Sequence, residues 1–556
     1  MKKILSLVTV LVLAMVIVAG AASANSDNDD WPMFHHDLSL TGYTMYDGPD
    51  TSDIAWKLDT EEGIRSSPAI VDGVLYVGTV VGNLTAVDVE SGSTLWIYAA
   101  GAPIYSSPAV DDGMVYFLST DGIVHAVNVG DGSSVWAQSI GGPGPWDWSS
   151  PAVHNSNVFI ATSTGNVTNL NGSDGTSNWS TYIGASPNSM IAVANGKVYS
   201  GTHNFNNGAP TLVALNEADG SVAWTYDYYL SHGGVTGMIN CNGVSVADGD
   251  GDGYLEVYFG VYNWDGTGPQ AICLDEATGA EEWAVSIGGN STSTPAVHEG
   301  VVFIGSDDGN VYALDATASG AVVWTYATGA AVWASPAVAD GKVYVGSQNH
   351  WFYALDEQTG ALVWSYYTGS TSRLESSPAI ADGMAFVCDS SGEIFAFQSD
   401  LRINKELVDY SDADGDGDIE VGEYTEFWLS ITVENKDTED TISSVVVKDR
   451  FGGDLMLVSY EEPAVGTVET NTKGKTNKVS LTWDGFDLGP GETATLDLLV
   501  ATDVNPGQDK KTVPQNEYTE AGTHELNSGA NVKGILHEIQ LSATSDSITV
   551  DVVEPN

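Results

Sequence analysis

Two stretches of this chain crowd carboxylates at a spacing that suits a hard divalent cation. In Asp248-Gly249-Asp250-Gly251-Asp252-Gly253-Tyr254-Leu255-Glu256, loop positions 1, 3, 5 and 9 are acidic and the carbonyl of Tyr254 falls at position 7. Ca2+ takes roughly six to eight oxygens at about 2.3–2.6 Å, and the glycines permit the sharp turn that gathers them. A solvated Asp-Gly turn is the competing reading. The second stretch matches the twelve-residue calcium template through Asp412, Asp414, Asp416, Glu420 and Glu423, with Asp418 between, Gly417 at the sixth position and Ile419 at the eighth. The residues that follow, Tyr424 to Val433, alternate with the period of a strand, which argues against a pair of helices around the loop. Carboxylates this dense repel one another without a cation, so the linker is expected to be ordered by calcium.

Behind the first loop stands a repeat. Trp56, Trp96, Trp136, Trp179, Trp224, Trp283, Trp324 and Trp364 follow one another at spacings of 40, 40, 43, 45, 59, 41 and 40 residues. A period near 40 means one folding unit copied in tandem. Each unit reads as Ser-Pro-Ala, a second strand, a glycine-containing turn, a third strand ending in a motif such as Ala354-Leu355-Asp356-Glu357-Gln358-Thr359-Gly360, and a closing strand with the Trp. Four short strands separated by turn signals make one propeller blade. The Trp is expected to pack between blades. The first Trp strand, Asp53 to Thr60, precedes any full unit, and Ser377 to Ser399 lacks one, so the two fragments complete each other. Counting Pro68, Pro108, Pro151, Ile191, Val244, Pro295, Pro336 and Pro378 gives eight four-stranded blades, closed by the N-terminal strand, with no exposed sheet edge at the join. The 59-residue spacing holds the first acidic loop, which expands an ordinary two-residue hairpin turn.

These repeats resemble the pyrroloquinoline-quinone-like propeller superfamily over roughly residues 31 to 400, in segments such as Ser335-Pro336-Ala337 and Val343-Tyr344-Val345-Gly346. That superfamily holds quinoprotein alcohol dehydrogenases and also non-catalytic members. Trp31-Pro32-Met33-Phe34-His35-His36-Asp37 with Gly42-Tyr43 resembles the opening of secreted, largely archaeal members. The first acidic loop looks like the calcium hairpins of integrin-type blades, and the second like calcium loops that precede immunoglobulin-like domains of surface proteins.

Met1 to Ala24 reads as a secretory signal: Lys2 and Lys3, an apolar run from Ile4 to Ala19, and Ala22-Ser23-Ala24 as the cleavage site. No second long apolar run follows, so the chain is expected to be secreted, extracellular or held at the cell envelope without a transmembrane span. Residues 25–52 form an N-terminal extension, 53–400 the propeller, 401–423 the calcium-loop linker and 424–556 an immunoglobulin-like β-sandwich, whose strands are legible at Trp428 to Glu434, Ser443 to Val447, Val479 to Trp483, Thr493 to Val500 and Ile548 to Val552. The whole is all-β. With 74 acidic against 18 basic residues and a net charge of −56, nucleic acid is excluded as a partner. The excess reads as a solvated acidic surface, of the kind salt-adapted organisms carry. Cys241, Cys273 and Cys388 are too few for a disulfide framework, and Cys241 and Cys273 could bridge or stay free. Sequons stand at Asn83, Asn166, Asn171, Asn178 and Asn290.

In quinoprotein dehydrogenases the cofactor lies in the central funnel, lined by the loops that precede each innermost strand. Here those loops carry Arg65, Tyr105, Trp146, Asp147, Trp148, His232, Trp333, Arg373 and Glu375. Arg65, Trp148, Trp333 and Arg373 suit a flat anionic quinone, since guanidinium and aromatic faces pair with carboxylate and conjugated ring. The adjacent-cysteine pair of the alcohol dehydrogenases is missing, and their calcium ligands and catalytic aspartate match no motif. The sequence reading therefore favours a non-catalytic, calcium-stabilised binding module with two Ca2+ sites, engaging envelope or surface proteins or glycans. It weighs against a quinone cofactor and assigns no catalytic residue. A quinone-dependent extracellular dehydrogenase and a calcium-dependent adhesin are the alternatives.

Overall fold

The computed structural model describes residues 30–399 apart from 142–148, 185–188, 205–209, 233–238, 265, 267 and 370–372, and beyond 400 mainly the strands. The signal segment, the Asp412–Glu423 loop, and Trp146, Asp147 and Trp148 lie outside the described residues.

Among the described residues between Ile54 and Gln398 the chain forms, besides a small three-stranded sheet of His203–Asn204, Ile239–Asn240 and Tyr262–Asn263, eight four-stranded antiparallel sheets. The first runs Ala69–Val71, Val74–Gly78, Asn83–Asp88 and Thr94–Ala99, and the others repeat it. Successive inner strands adjoin one another, and Ala379–Ala381 adjoins Ala69–Val71, so the sheets close into a ring. In the last sheet the outer strand is Ile54–Asp59, paired with Glu393–Gln398.

Each element of the repeat has a physical job. The paired serines before the proline tie neighbouring sheets together. The backbone N–H of Ser67 donates to Ser107 Oγ, that of Ser107 to Ser150 Oγ, that of Thr294 to Ser335 Oγ and that of Ser335 to Ser377 Oγ, at 2.8–3.0 Å. Ser377 N–H donates to Ser67 Oγ at 2.9 Å, which carries the chain of bonds across the join. In all the sheets but the third, where Asn169 faces Trp179, the Trp of the outer strand lies opposite a small residue, Ala86 for Trp96 and Ala354 for Trp364, next to a register shift that recurs from sheet to sheet. Its indole donates to a carbonyl in the turn of the following sheet, as Trp56 does to Val89, Trp96 to Val129 and Trp324 to Glu357, at 2.6–2.9 Å. The glycine that ends that turn packs against the same ring: a Cβ on Gly92 would stand 2.6 Å from Trp56, and Gly92 holds φ +67°.

The N-terminal extension, given no role by the sequence reading, winds around the inside of the ring, meeting the first, second, fourth, fifth, sixth and seventh sheets in turn. Trp31 exchanges both backbone hydrogen bonds with Ile70, and Val110, Val193, Val246, Val297 and Val338 donate to the carbonyls of Pro32, Leu38, Ser39, Thr41 and Gly42. Six inner strands thus find partners for edges that would otherwise face the channel unpaired. His35 is fully buried in this strap, its Nδ1 2.7 Å from Leu40 O and its Nε2 2.8 Å from Pro336 O.

Beyond residue 400, Leu401–Asp409, Glu426–Asn435, Thr493–Thr502 and Leu455–Tyr460 form a four-stranded sheet. Thr467–Lys473, Lys478–Leu488, Ile442–Phe451, Asn531–Leu536 and Ile539–Thr544 form a five-stranded one. Ile431, Val433, Leu481, Trp483, Leu496 and Leu498 are buried there, and Trp483 stacks on Phe486. All the strands expected in this region occur, most of them longer.

Candidate functional site

The position three residues before the repeat's proline carries the chemistry at one mouth of the ring. It is Arg65 before Pro68, Tyr105 before Pro108, Trp333 before Pro336 and Glu375 before Pro378. Ring closure makes neighbours of the first and last of these. Glu375, 15% exposed, lies between two guanidiniums, with Oε2 3.7 Å from Arg65 Nε and Oε1 3.8 Å from Arg373 Nη1. Arg65 lies over the Tyr105 ring at 5.6 Å and Arg373 over the Trp333 ring at 5.7 Å, both within cation–π range. Trp333 Nε1 donates to Asp307 Oδ1 at 2.7 Å. The result is one continuous arc, Asp307–Trp333–Arg373–Glu375–Arg65–Tyr105, drawn from the sixth, seventh, eighth, first and second sheets.

The arc is held from behind. Arg373 N–H donates to Ser390 Oγ and Ser390 N–H to Arg373 O, both at 3.1 Å, which fixes the loop that carries Arg373. Burial pushes the Asp307 carboxyl above its usual range, against the pull of the indole N–H. Asp307 escaped the sequence reading because it lies on the turn between the second and third strands of its sheet rather than on a loop before an inner strand. His232, expected at the mouth, stands elsewhere. It caps the single-turn helix Tyr228–Ser231, and its Nε2 lies 3.1 Å from both Glu281 Oε2 and Tyr226 Oη, side chains of outer strands in two adjacent sheets. Trp148 lies outside the described residues.

The acidic hairpin joins Val244–Ala247 to Glu256–Gly260 in the fifth sheet. One oxygen from each of Asp248, Asp250, Asp252 and Glu256 lies within 4.8 Å of the others. The three aspartates are exposed and Glu256 is buried, its Oε2 accepting from Gly249 N–H and Tyr258 Oη at 2.9 Å. Backbone N–H groups of Gly251 and Gly253 bind the two Asp248 oxygens, and both glycines take positive φ. Burial pushes Glu256 up to about 6. Tyr254, whose carbonyl was assigned as a ligand, projects its ring into solvent. Cys241, Cys273 and Cys388 are all free and buried, so Cys241 and Cys273 do not bridge. No helix among the described residues is long and apolar enough to cross a membrane.

A closed ring of four-stranded sheets, with chemistry gathered where the inner strands begin, defines a β-propeller. Solved structures agree in fold: the quinohemoprotein alcohol dehydrogenase of Comamonas testosteroni (TM-score 0.55, 15% identity, 66% of this chain and 80% of that one) and a europium-containing methanol dehydrogenase (TM-score 0.54, 16% identity, 64% and 89%). By sequence the chain belongs to the family described as outer membrane protein assembly factor BamB, whose model matches residues 46–145, 120–254 and 270–406. Among curated proteins it is similar to the Comamonas testosteroni quinohemoprotein alcohol dehydrogenase (29% identical over 76 residues, 12% of this chain) and to the dehydrogenase subunit of the quinone alcohol dehydrogenase of Gluconobacter oxydans strain 621H (33% over 95 residues, 15% of this chain). These matches span 11% and 12% of the relatives' lengths.

Proposed function

We propose that this chain is an exported, calcium-stabilised, eight-bladed propeller over residues 53–400, followed by a β-sandwich, and that its mouth binds pyrroloquinoline quinone or a similarly flat polyanionic aromatic in the manner of a quinone-dependent alcohol dehydrogenase. The observation that carries this reading is the Arg65–Glu375–Arg373 arc backed by Tyr105 and Trp333. Two guanidiniums suit the carboxylates of such a quinone, and ring faces beside them suit its conjugated plane. Both curated relatives and the Comamonas testosteroni structure are quinone enzymes, which supports a quinone here against the sequence reading that weighed against one, although the matching family is that of an assembly factor. When bound, a quinone would supply a two-electron acceptor; Arg65 and Arg373 would hold its anionic edge, with the carboxylates of Glu375 and Asp307 in the same arc. The acidic hairpin around Asp250, with its four converging carboxylates and no cationic side chain among them, supports a Ca2+ site there. The Asp412–Glu423 loop remains a second proposed site on its sequence alone.

One observation favours a second reading, a non-catalytic surface module. Glu375 already engages both arginines, so a ligand carboxylate must compete with it. The two readings separate on quinone titration: saturable binding with a spectral change supports the first, whereas calcium-dependent capture of envelope proteins or glycans without quinone binding supports the second.

A further inference from the structure

N-linked glycan transfer needs two things of a sequon: an asparagine amide nitrogen open to the donor, and an accessible hydroxyl two residues on. The fold decides which of the five sequons offers both. At Asn83, Nδ2 donates to both oxygens of Glu62, at 2.8 and 3.1 Å, and Thr85 is buried within its strand. At Asn166 the amide donates to Thr164 Oγ1, and Thr168 is buried and shares a hydrogen bond with Ser180. Asn178 is exposed, but its Nδ2 bridges Asn157 Oδ1 and Asn169 Oδ1 at 2.8 and 2.9 Å, and Ser180 is held by Thr168. At Asn290, Oδ1 accepts from Asn263 N–H, Thr292 two residues on is only half-exposed, and the main chain is held on both sides, Asn290 O accepting from Asp307 N–H and Thr292 O from Asn242 Nδ2.

Asn171 alone of the five joins an amide nitrogen without a partner among the described residues to an exposed hydroxyl residue. It ends the strand Asn166–Asn171 and opens an outer turn. Its Oδ1 accepts from Ser173 N–H at 2.9 Å and Ser173 Oγ at 2.6 Å, which turns the amide nitrogen outward, and Nδ2 has no hydrogen-bond partner among the described residues. Ser173 is exposed. Between them Gly172 is anchored, its carbonyl accepting from Trp136 Nε1 at 2.6 Å and Tyr116 Oη at 3.3 Å, so the turn presents the acceptor from a fixed base. The turn sits at the far end of the outer strand Ser177–Tyr182 from the loop that leads to the mouth, and a glycan there leaves the mouth open.

We propose that Asn171 is the N-glycosylation site of the folded chain, taking an oligosaccharide from a lipid-linked phosphate or diphosphate donor. The bond between glycan C1 and the donor's phosphate oxygen breaks, C1 bonds to Nδ2, the amide proton passes to a base of the transferase, and the lipid phosphate leaves. In the cell this rests on the export proposed above; the test does not. The folded full-length chain is incubated with a single-subunit oligosaccharyltransferase and a lipid-linked oligosaccharide, and site occupancy is read by glycopeptide mass spectrometry, with heat-denatured chain as the positive control. The proposal expects Asn171 to carry most of the glycan in the folded chain, Asn83 and Asn290 to be modified only after denaturation, and N171Q to remove most of the incorporation. Equal occupancy at Asn83 or Asn290 in the folded chain, an unmodified Asn171, or unchanged incorporation in N171Q overturns it.

Discussion

Trp364 Nε1 donates to the carbonyl of Pro49 at 2.9 Å, across 315 residues of sequence. Other repeat tryptophans, such as Trp324, make this bond to a turn of the following sheet. The last sheet takes its outer strand from the N-terminus and has no such turn, and the strap supplies the missing carbonyl. Pro49 O also accepts from Tyr344 Oη at 3.1 Å, and the adjacent Asp50 pairs with Lys342 at 2.8 Å. The strap is thereby fastened to the seventh sheet before it enters the eighth.

Trp364→Phe keeps a ring in place and removes that bond and part of the packing. It is expected to destabilise the protein by about 2 kcal/mol in urea unfolding and to speed proteolysis within residues 40–48. Wild-type proteolysis of the strap in this variant would mean that Pro49 is held by other contacts.

Two glycines separate backbone strain from clash. Gly73 and Gly92 have nearly the same φ, +70° and +67°, but a Cβ on Gly73 meets nothing within 4 Å, whereas one on Gly92 meets Trp56 at 2.6 Å. Gly73→Ala should cost about 1 kcal/mol, the strain of a left-handed alanine, and Gly92→Ala about 1–3 kcal/mol more through overpacking. Equal losses for the two would show that the Trp–Gly contact contributes nothing.

Much of the ring could be read from residue order because most sheets use the same local signals: Ser-Pro-Ala for an inner strand, Asp and Gly in the turn, Trp opposite a small residue. The strap could not. Trp31 to Thr44 has no period, and its partners are backbone groups of six strands spread along the chain from Ile70 to Val338. The candidate site fell between these cases. Arg65, Trp333, Arg373 and Glu375 were legible from their place before the repeat's proline, but that Glu375 sits between the two arginines depends on closure of first sheet against last. Asp307 looks like any Asp-Asp turn until the Trp333 indole is found on it, and His232 was misassigned because the helix Tyr228–Ser231 breaks the loop it was read into.

The acidic hairpin predicts a calcium-linked shift in stability. Calcium should raise the Tm of the wild-type chain, and Asp250→Ala should abolish the part of that rise due to the fifth sheet, because a ligand that binds only the folded state stabilises it in proportion to its occupancy. If chelation lowers the Tm of wild type and variant by the same amount, calcium does not bind between Asp248 and Glu256.

His203 predicts loss of stability in acid. Burial lowers its pKa from an ordinary 6.5 to about 4. The unfolded chain therefore binds a proton that the folded one refuses, and stability falls as pH drops from about 6.5 to about 4. His35 and His125 are lowered by burial in the same direction. Protonation of the many surface carboxylates acts oppositely by relieving repulsion, so the comparison is between wild type and His203→Gln. The variant should lose less stability over that range, by on the order of 2 to 3 kcal/mol in urea titrations at each pH. Parallel pH profiles would contradict the assignment.

The central claim is that the arc at the mouth binds a flat anionic quinone. The most direct test is calorimetric titration of the purified protein with pyrroloquinoline quinone in calcium buffer, recording the quinone absorbance, for wild type and for the Arg65→Gln, Arg373→Gln double variant. Saturable one-to-one binding with a spectral shift in wild type, weakened at least about tenfold in the double variant by loss of two charge-assisted contacts, is the predicted result; no binding to the wild-type protein in calcium would contradict the claim.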